Sequence, residues 1–166
     1  MNISPEWTRI GTQNQNIIQK YQNELPVKLG ALASELGLIV KKATLPANIS
    51  GEIKEENGQV IIRINRHDAN SRQRYTLAHE IAHFLLHKHL LKDGIADDVL
   101  YRSALSNEIE AEANRLAADI VMPLAAVRDL WKKHNPDAPN KEITYERIAD
   151  ELGVSVIALK IRLEKI

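Results

Sequence analysis

The sequence predicts an α+β fold, and three observations carry that prediction. Along Gln59–Arg66 apolar residues alternate, with Val60, Ile62 and Ile64 on one face, the period of a half-buried strand. Asn57-Gly58 just before it supplies the positive φ angles of a tight turn, which makes Ser50–Glu56 the other arm of a hairpin. Helix formers then dominate from Asn70 to about Lys88 and again from about Asn107 to Met122, where Pro123 closes the run. Strands followed by helices describe a small antiparallel or mixed sheet packed against two long helices.

The remaining elements follow in order. The opening stretch to about Asn16 is polar and reads as a loose arm, and Ile17–Asn23 as a short helix ending before Pro26. Val27, Leu29, Leu32, Ala33 and Leu36 have helical spacing, with Gly37 as the stop, and Leu38–Thr44 reads as a strand. An Asp- and Gly-rich connector covers Lys92–Asp98. Beyond Pro123, helices are expected at Leu124–His134, Tyr145–Leu152 and Ser155–Glu164, the last two separated by Gly153. The organisation predicted is an arm and short helix over 1–25, a main α+β domain over 26–135, and a helical subdomain over 136–166 packed on it.

Composition narrows the chemistry. With 166 residues, 44% of them hydrophobic and 27% charged, the chain is long enough to bury a core and is not of disordered type. Lys+Arg and Asp+Glu both number 22, so no global charge favours nucleic acid or membrane. Cysteine is absent, which excludes disulfides, thiolate metal sites and a cysteine nucleophile. The start of the chain lacks a signal-peptide profile, and no window approaches the ~20 apolar residues of a membrane span. A cytoplasmic location is expected.

Four of the six histidines lie between His79 and His89. On the predicted helix His79 and His83 are four apart and leave the same face one turn apart, a two-toothed bite for Zn²⁺. Glu80 points about 100° around the helix, from where it can serve as general base toward a water. The competing explanation is a histidine-rich surface helix or core histidines satisfied by carbonyls. Leu77, Ala78, Ile81, Ala82, Phe84 and Leu85 make the helix largely apolar, so its buried polar groups need a partner, and a cation supplies one.

A catalytic zinc takes three protein ligands. His87, one more turn along, is disfavoured because three side chains stacked up a straight helix do not converge. His87 and His89 read as end-of-helix residues that complement the dipole. The second helix offers better. Helical phasing sets Glu108, Glu112, Arg115 and Asp119 on a solvated side, and Glu110 on the core side with Ala113, Asn114, Ala117, Ile120 and Val121. Glu110 is therefore the candidate third ligand, and Asn114, one turn on, a candidate to hold the far nitrogen of a ligating histidine. Glu112 is the reserve, and Glu110 has the alternative of pairing with Arg74 or Arg102.

These residues resemble a known family. Arg72-Gln73-Arg74-Tyr75-Thr76-Leu77-Ala78-His79-Glu80-Ile81-Ala82-His83, then Glu110-Ala111-Glu112-Ala113-Asn114, then Met122-Pro123 look like the ImmA/IrrE zinc metallopeptidases. The likeness extends upstream to the Leu36-Gly37 helix end, the Ser50-Gly51 turn and the Ile64-Asn65 strand end. It implies a zincin-like fold, His79, His83 and Glu110 as zinc ligands, Glu80 as catalytic base, and regulatory proteolysis of helix-turn-helix repressors. Tyr75 and Leu116 stand where the family often has phenylalanine, and Ile81-Ala82 where Leu-Gly is common. The chain has no room for the amino-terminal DNA-binding domain of many relatives, so a repressor partner is expected to be a separate protein.

Three readings complete the expectation. An oxyanion donor besides the metal is needed, and Tyr75, Tyr101, Arg102 and His87 are the candidates. An extended peptide substrate is expected to add to an edge strand near Gln59–Arg66. The last two helices resemble a helix-turn-helix offering Lys160, Arg162 and Lys165, but Glu146, Asp150 and Glu151 on its companion repel phosphates, so direct DNA binding is not expected.

Overall fold

The computed structural model describes residues 3–98 and 107–164. Among these, eight α-helices and one four-stranded sheet form an α+β fold of zincin-like type. The helices are α1 (Pro5–Arg9), α2 (Gly11–Tyr21), α3 (Leu29–Glu35), α4 (Asn70–Leu86), α5 (Asn107–Val121), α6 (Leu124–His134), α7 (Lys141–Leu152) and α8 (Val156–Glu164). The strands are β1 (Ile39–Ala43), β2 (Ile49–Glu56), β3 (Gln59–Asn65) and β4 (Ile95–Asp98). No helix among the described residues is long and apolar enough to cross a membrane.

The β2–β3 hairpin forms as its sequence requires. Asn57 and Gly58 have φ of 52° and 76°, the left-handed pair that lets Glu56 sit opposite Gln59 without splaying the strands. Ile53 then faces Ile62 across the ladder, and with Ile64 these side chains are buried in one cluster with Ala78, Ile81 and Ala82 of α4. Burial of this apolar face against α4 fixes the register, since a one-residue slip would turn Ile53 and Ile62 outward.

Strand order is β1-β3-β2-β4, with β1 parallel to β3 and the other pairings antiparallel. Three expectations change here. β3 is central, paired with β2 over Gln59–Ile64 and with β1 over Ile61–Asn65, so it is not an edge strand and the strand-addition reading for that segment is wrong. The Lys92–Asp98 connector contains a strand from Ile95. Its Asp97 and Asp98 are poor strand formers, and pairing with β2 imposes the conformation. Ser50 and Gly51 are not a turn but lie inside β2, at a shift in its register against β4.

The opening stretch is not a loose arm. It is helical from Pro5, and its polar groups are used against α5: the Glu6 carboxylate, only 2% exposed, receives both Nε and Nη2 of Arg115, and the Ser4 backbone amide donates to Asp119. The side of α5 read as solvated is thus covered in part by α1. Polar residues gave no hydrophobic period to announce this docking, because it is made by ion pairs. At the other end, Ile148, Leu152 and Leu159 join the same hydrophobic cluster as Val27, Leu32 and Val127, and Arg162 pairs with Asp119 at 2.6 Å.

Candidate metal centre

The site lies where α4 is packed between the sheet and α5. α4 buries Thr76, His79, Glu80 and His83 along with Ala78, Ile81 and Ala82, so polar and apolar residues share its covered surface. Close approach of helix to sheet is set at Gly51. A Cβ there would meet Thr76 Cγ2 at 2.5 Å, the Arg63 carbonyl at 3.2 Å and Glu80 Oε1 at 3.2 Å, so only glycine leaves room for the Glu80 carboxylate against β2. Arg72 Nε donates to Ser50 Oγ at 3.0 Å and secures the same junction.

On the adjoining face of α4, the structure brings Glu110 to the two histidines. His79 Nε2 and His83 Nε2 are 3.0 Å apart, Glu110 Oε2 is 3.2 Å from the first and Glu110 Oε1 3.3 Å from the second. A tetrahedral ion with ligands at ~2.0–2.1 Å would space its donor atoms by about 3.3 Å. These three residues could therefore hold a metal ion with little rearrangement. The histidines are buried, at 3% and 0% exposure, whereas the Glu110 side chain keeps 14% of its surface and Asn114 is exposed. The cluster therefore opens to solvent on the α5 side.

Hydrogen bonds select the useful tautomers. Asn114 Oδ1 lies 3.0 Å from His79 Nδ1, and as an acceptor it places the proton there, leaving the Nε2 lone pair toward His83 and Glu110. Burial, above all, holds His83 down to about 4, outweighing the neighbouring Glu110 carboxylate, which acts the other way, so the ring is neutral near pH 7 and can donate a lone pair. Burial pushes the Glu110 carboxyl up, but the adjacent His79 and His83 imidazoles prevail and hold it well below the usual carboxylate range. An ionised oxygen donor and two imidazole nitrogens form a donor set suited to a divalent transition metal.

The other sequence candidates are placed as follows. Arg74 donates to the carbonyls of Val27 and Gly153, so it is not the partner of Glu110. The Tyr75 hydroxyl donates to the Asn114 carbonyl at 3.2 Å, and burial pushes it up to about 12, which keeps it a neutral donor. Tyr101 and Arg102 lie outside the described residues. His87 is neither a simple dipole complement nor a free donor. It is 2% exposed, with Nδ1 2.9 Å from His83 Nδ1 and Nε2 2.9 Å from Glu112 Oε2. Glu112, read as solvated and as the reserve ligand, is therefore directed to His87. The i, i+4 spacing of His83 and His87 was the available signal for their contact; nothing local to Glu112 announced its partner.

A family model described as Peptidase_M78, IrrE N-terminal-like domain, matches residues 33–164, from α3 to the end of α8. Comparison with curated proteins finds no match.

Proposed function

The chain belongs to the IrrE N-terminal-like peptidase family, and from that premise we propose that it is a zinc-dependent metalloendopeptidase performing regulatory proteolysis of a separate helix-turn-helix repressor. The observation that carries the reading is the convergence of His79, His83 and Glu110 donor atoms within 4.8 Å of one another, with Glu80 next to the first of them on the same helix.

In this reading His79, His83 and Glu110 hold the ion, and Asn114 keeps the His79 ring in its ligating tautomer. A zinc ion when bound supplies Lewis acidity and, with it, a nucleophilic water at neutral pH. Glu80 accepts the proton of the attacking water and delivers it to the leaving amine. Its burial at 0% exposure, against Gly51 and Thr76, restricts the carboxylate to a narrow set of positions and excludes competing solvent. The partly exposed Glu110 and the exposed Asn114 leave an approach for a polypeptide from the α5 side. Support for a repressor substrate comes from the family resemblance of the motifs, whereas support for a hydrolytic metal site comes from the geometry.

The test uses the full chain, zinc and a helix-turn-helix repressor encoded beside it. Glu80→Gln should keep its zinc and lose cleavage by on the order of a thousandfold, the range of general acid–base catalysis. Cleavage that survives at the native rate in Glu80→Gln would refute the mechanism, and cleavage of unrelated peptides in preference to the repressor would refute the substrate class.

A further inference from the structure

We propose that α1 is a positioning element of the metal centre, acting on His83 through Arg9, Glu112 and His87. The inference rests on the metal-binding reading above and extends it to a segment that the family match, which begins at residue 33, does not cover.

Contacts from the chain's start fall on one stripe of α5. The Ser4 amide meets Asp119 at 3.1 Å, Glu6 takes Arg115 in a two-pronged pair at 2.7 and 3.1 Å, and Arg9 Nη1 donates to Glu112 Oε1. Positions 112, 115 and 119 are spaced i, i+3 and i+7, so they share one face. Two of these contacts anchor the helix. The third continues inward, because the other oxygen of Glu112 is the one that meets His87.

Proton positions along this chain are dictated from its outer end. A carboxylate only accepts, so His87 Nε2 must carry a hydrogen toward Glu112. In the neutral ring His87 Nδ1 is then an acceptor, and the hydrogen across the 2.9 Å contact belongs to His83 Nδ1. That leaves the His83 Nε2 lone pair toward His79 Nε2 and Glu110, the arrangement a ligand needs. His79 reaches the same tautomer directly through Asn114. Both histidines of α4 are thus oriented from α5, one by an amide in a single step and the other by a carboxylate through an intervening imidazole. Arg9 occupies Glu112 Oε1, which holds the carboxylate in the rotamer that presents Oε2 to His87. His87 is 2% exposed, so no solvent exchange loosens the middle of the relay.

The experiment measures zinc affinity of the full chain by competition with a chromophoric chelator, for the native protein, Arg9→Ala, Arg9→Lys, Glu112→Ala and the double alanine variant. Unfolding of each metal-free protein serves as the control for a merely structural effect. Glu112→Ala should weaken zinc binding about tenfold, the lower end for groups that orient a ligating histidine. Arg9→Ala should weaken it about twofold to fivefold, the range of a partly exposed ion pair, and Arg9→Lys should restore most of that loss. In the Glu112→Ala background Arg9→Ala should have no further effect, because the relay is already cut. Native zinc affinity in both single alanine variants, or an Arg9→Ala loss of the same size in both backgrounds, would overturn the positioning role alone. Failure of the native chain to bind zinc at all would overturn the metal-site reading, and this inference with it.

Discussion

Two helix pairs, α4–α5 and α7–α8, each carry a pattern with a functional meaning, and the structure uses their polar residues in opposite ways. In α4–α5 the polar groups converge: His79, His83 and Glu110 meet one another, and Asn114 and Glu112 are aimed at imidazoles from behind. In α7–α8 the two α8 cations the sequence singled out, Lys160 and Arg162, are committed to ion pairs within the fold. Lys160 lies 2.7 Å from Glu142, and Arg162 lies 2.6 Å from Asp119 with only 10% of its side chain exposed. Beside them α8 exposes two large apolar residues, Ile157 and Ile161, at 71% and 47% exposure. A surface meant for phosphates would hold its cations free. The lesson is that a helical motif acquires function from where its charged groups end up, and resemblance of the pattern alone does not say.

Three substitutions probe this contrast. The largest effect is expected from Glu110→Ala, which removes the carboxylate of the candidate metal cluster. Dialysed protein should lose stoichiometric zinc while retaining its fold, as seen by metal analysis beside circular dichroism. Full zinc retention would mean that convergence in α4–α5 is an ion-pair network instead. Asp119→Ala comes next. It strips a buried partner from Arg162 and an acceptor from the Ser4 amide, and breaking such a buried pair costs about 3–5 kcal/mol. Denaturant unfolding of the metal-free protein reads this directly, and a loss below ~1 kcal/mol would show that the α8 cation is not structurally committed. Lys160→Ala should do least. Its partner Glu142 is 61% exposed, so stability should change by less than about 1 kcal/mol. Duplex DNA retention by the native chain that falls with Lys160→Ala and with added salt would contradict the assignment of α8 to the fold.

Legibility in the sequence followed the range of the interactions. The hairpin was readable because Asn57-Gly58 and the alternation of Val60, Ile62 and Ile64 are local signals, and α6 runs over Leu124–His134, beginning after Pro123 as the sequence indicates. Helical phasing brought Glu110 to the correct side of α5 because Ala113, Ala117, Ile120 and Val121 are all fully buried beside it. Phasing failed for Glu112 and Asp119, since it equates polar with solvated, and here polar residues of α1 and α8 cover them. It failed for β4 as well, whose four residues gain strand geometry only by lying against β2.

Sequence by itself determined the pieces whose geometry is short-ranged: the turn at Asn57-Gly58, the shared face of His79 and His83, the carboxylate that follows the first histidine, and the inward phase of Glu110. Each depends on backbone periodicity over one or two turns. Tertiary structure alone decided that β3 is central, that Gly51 opens the space beside Glu80, and that His87 is gripped between His83 and Glu112. It also decided that α1 is docked on α5. Those outcomes depend on which surfaces meet across the molecule, and the partner of a buried charge is chosen by proximity in the folded chain, which residue spacing does not encode.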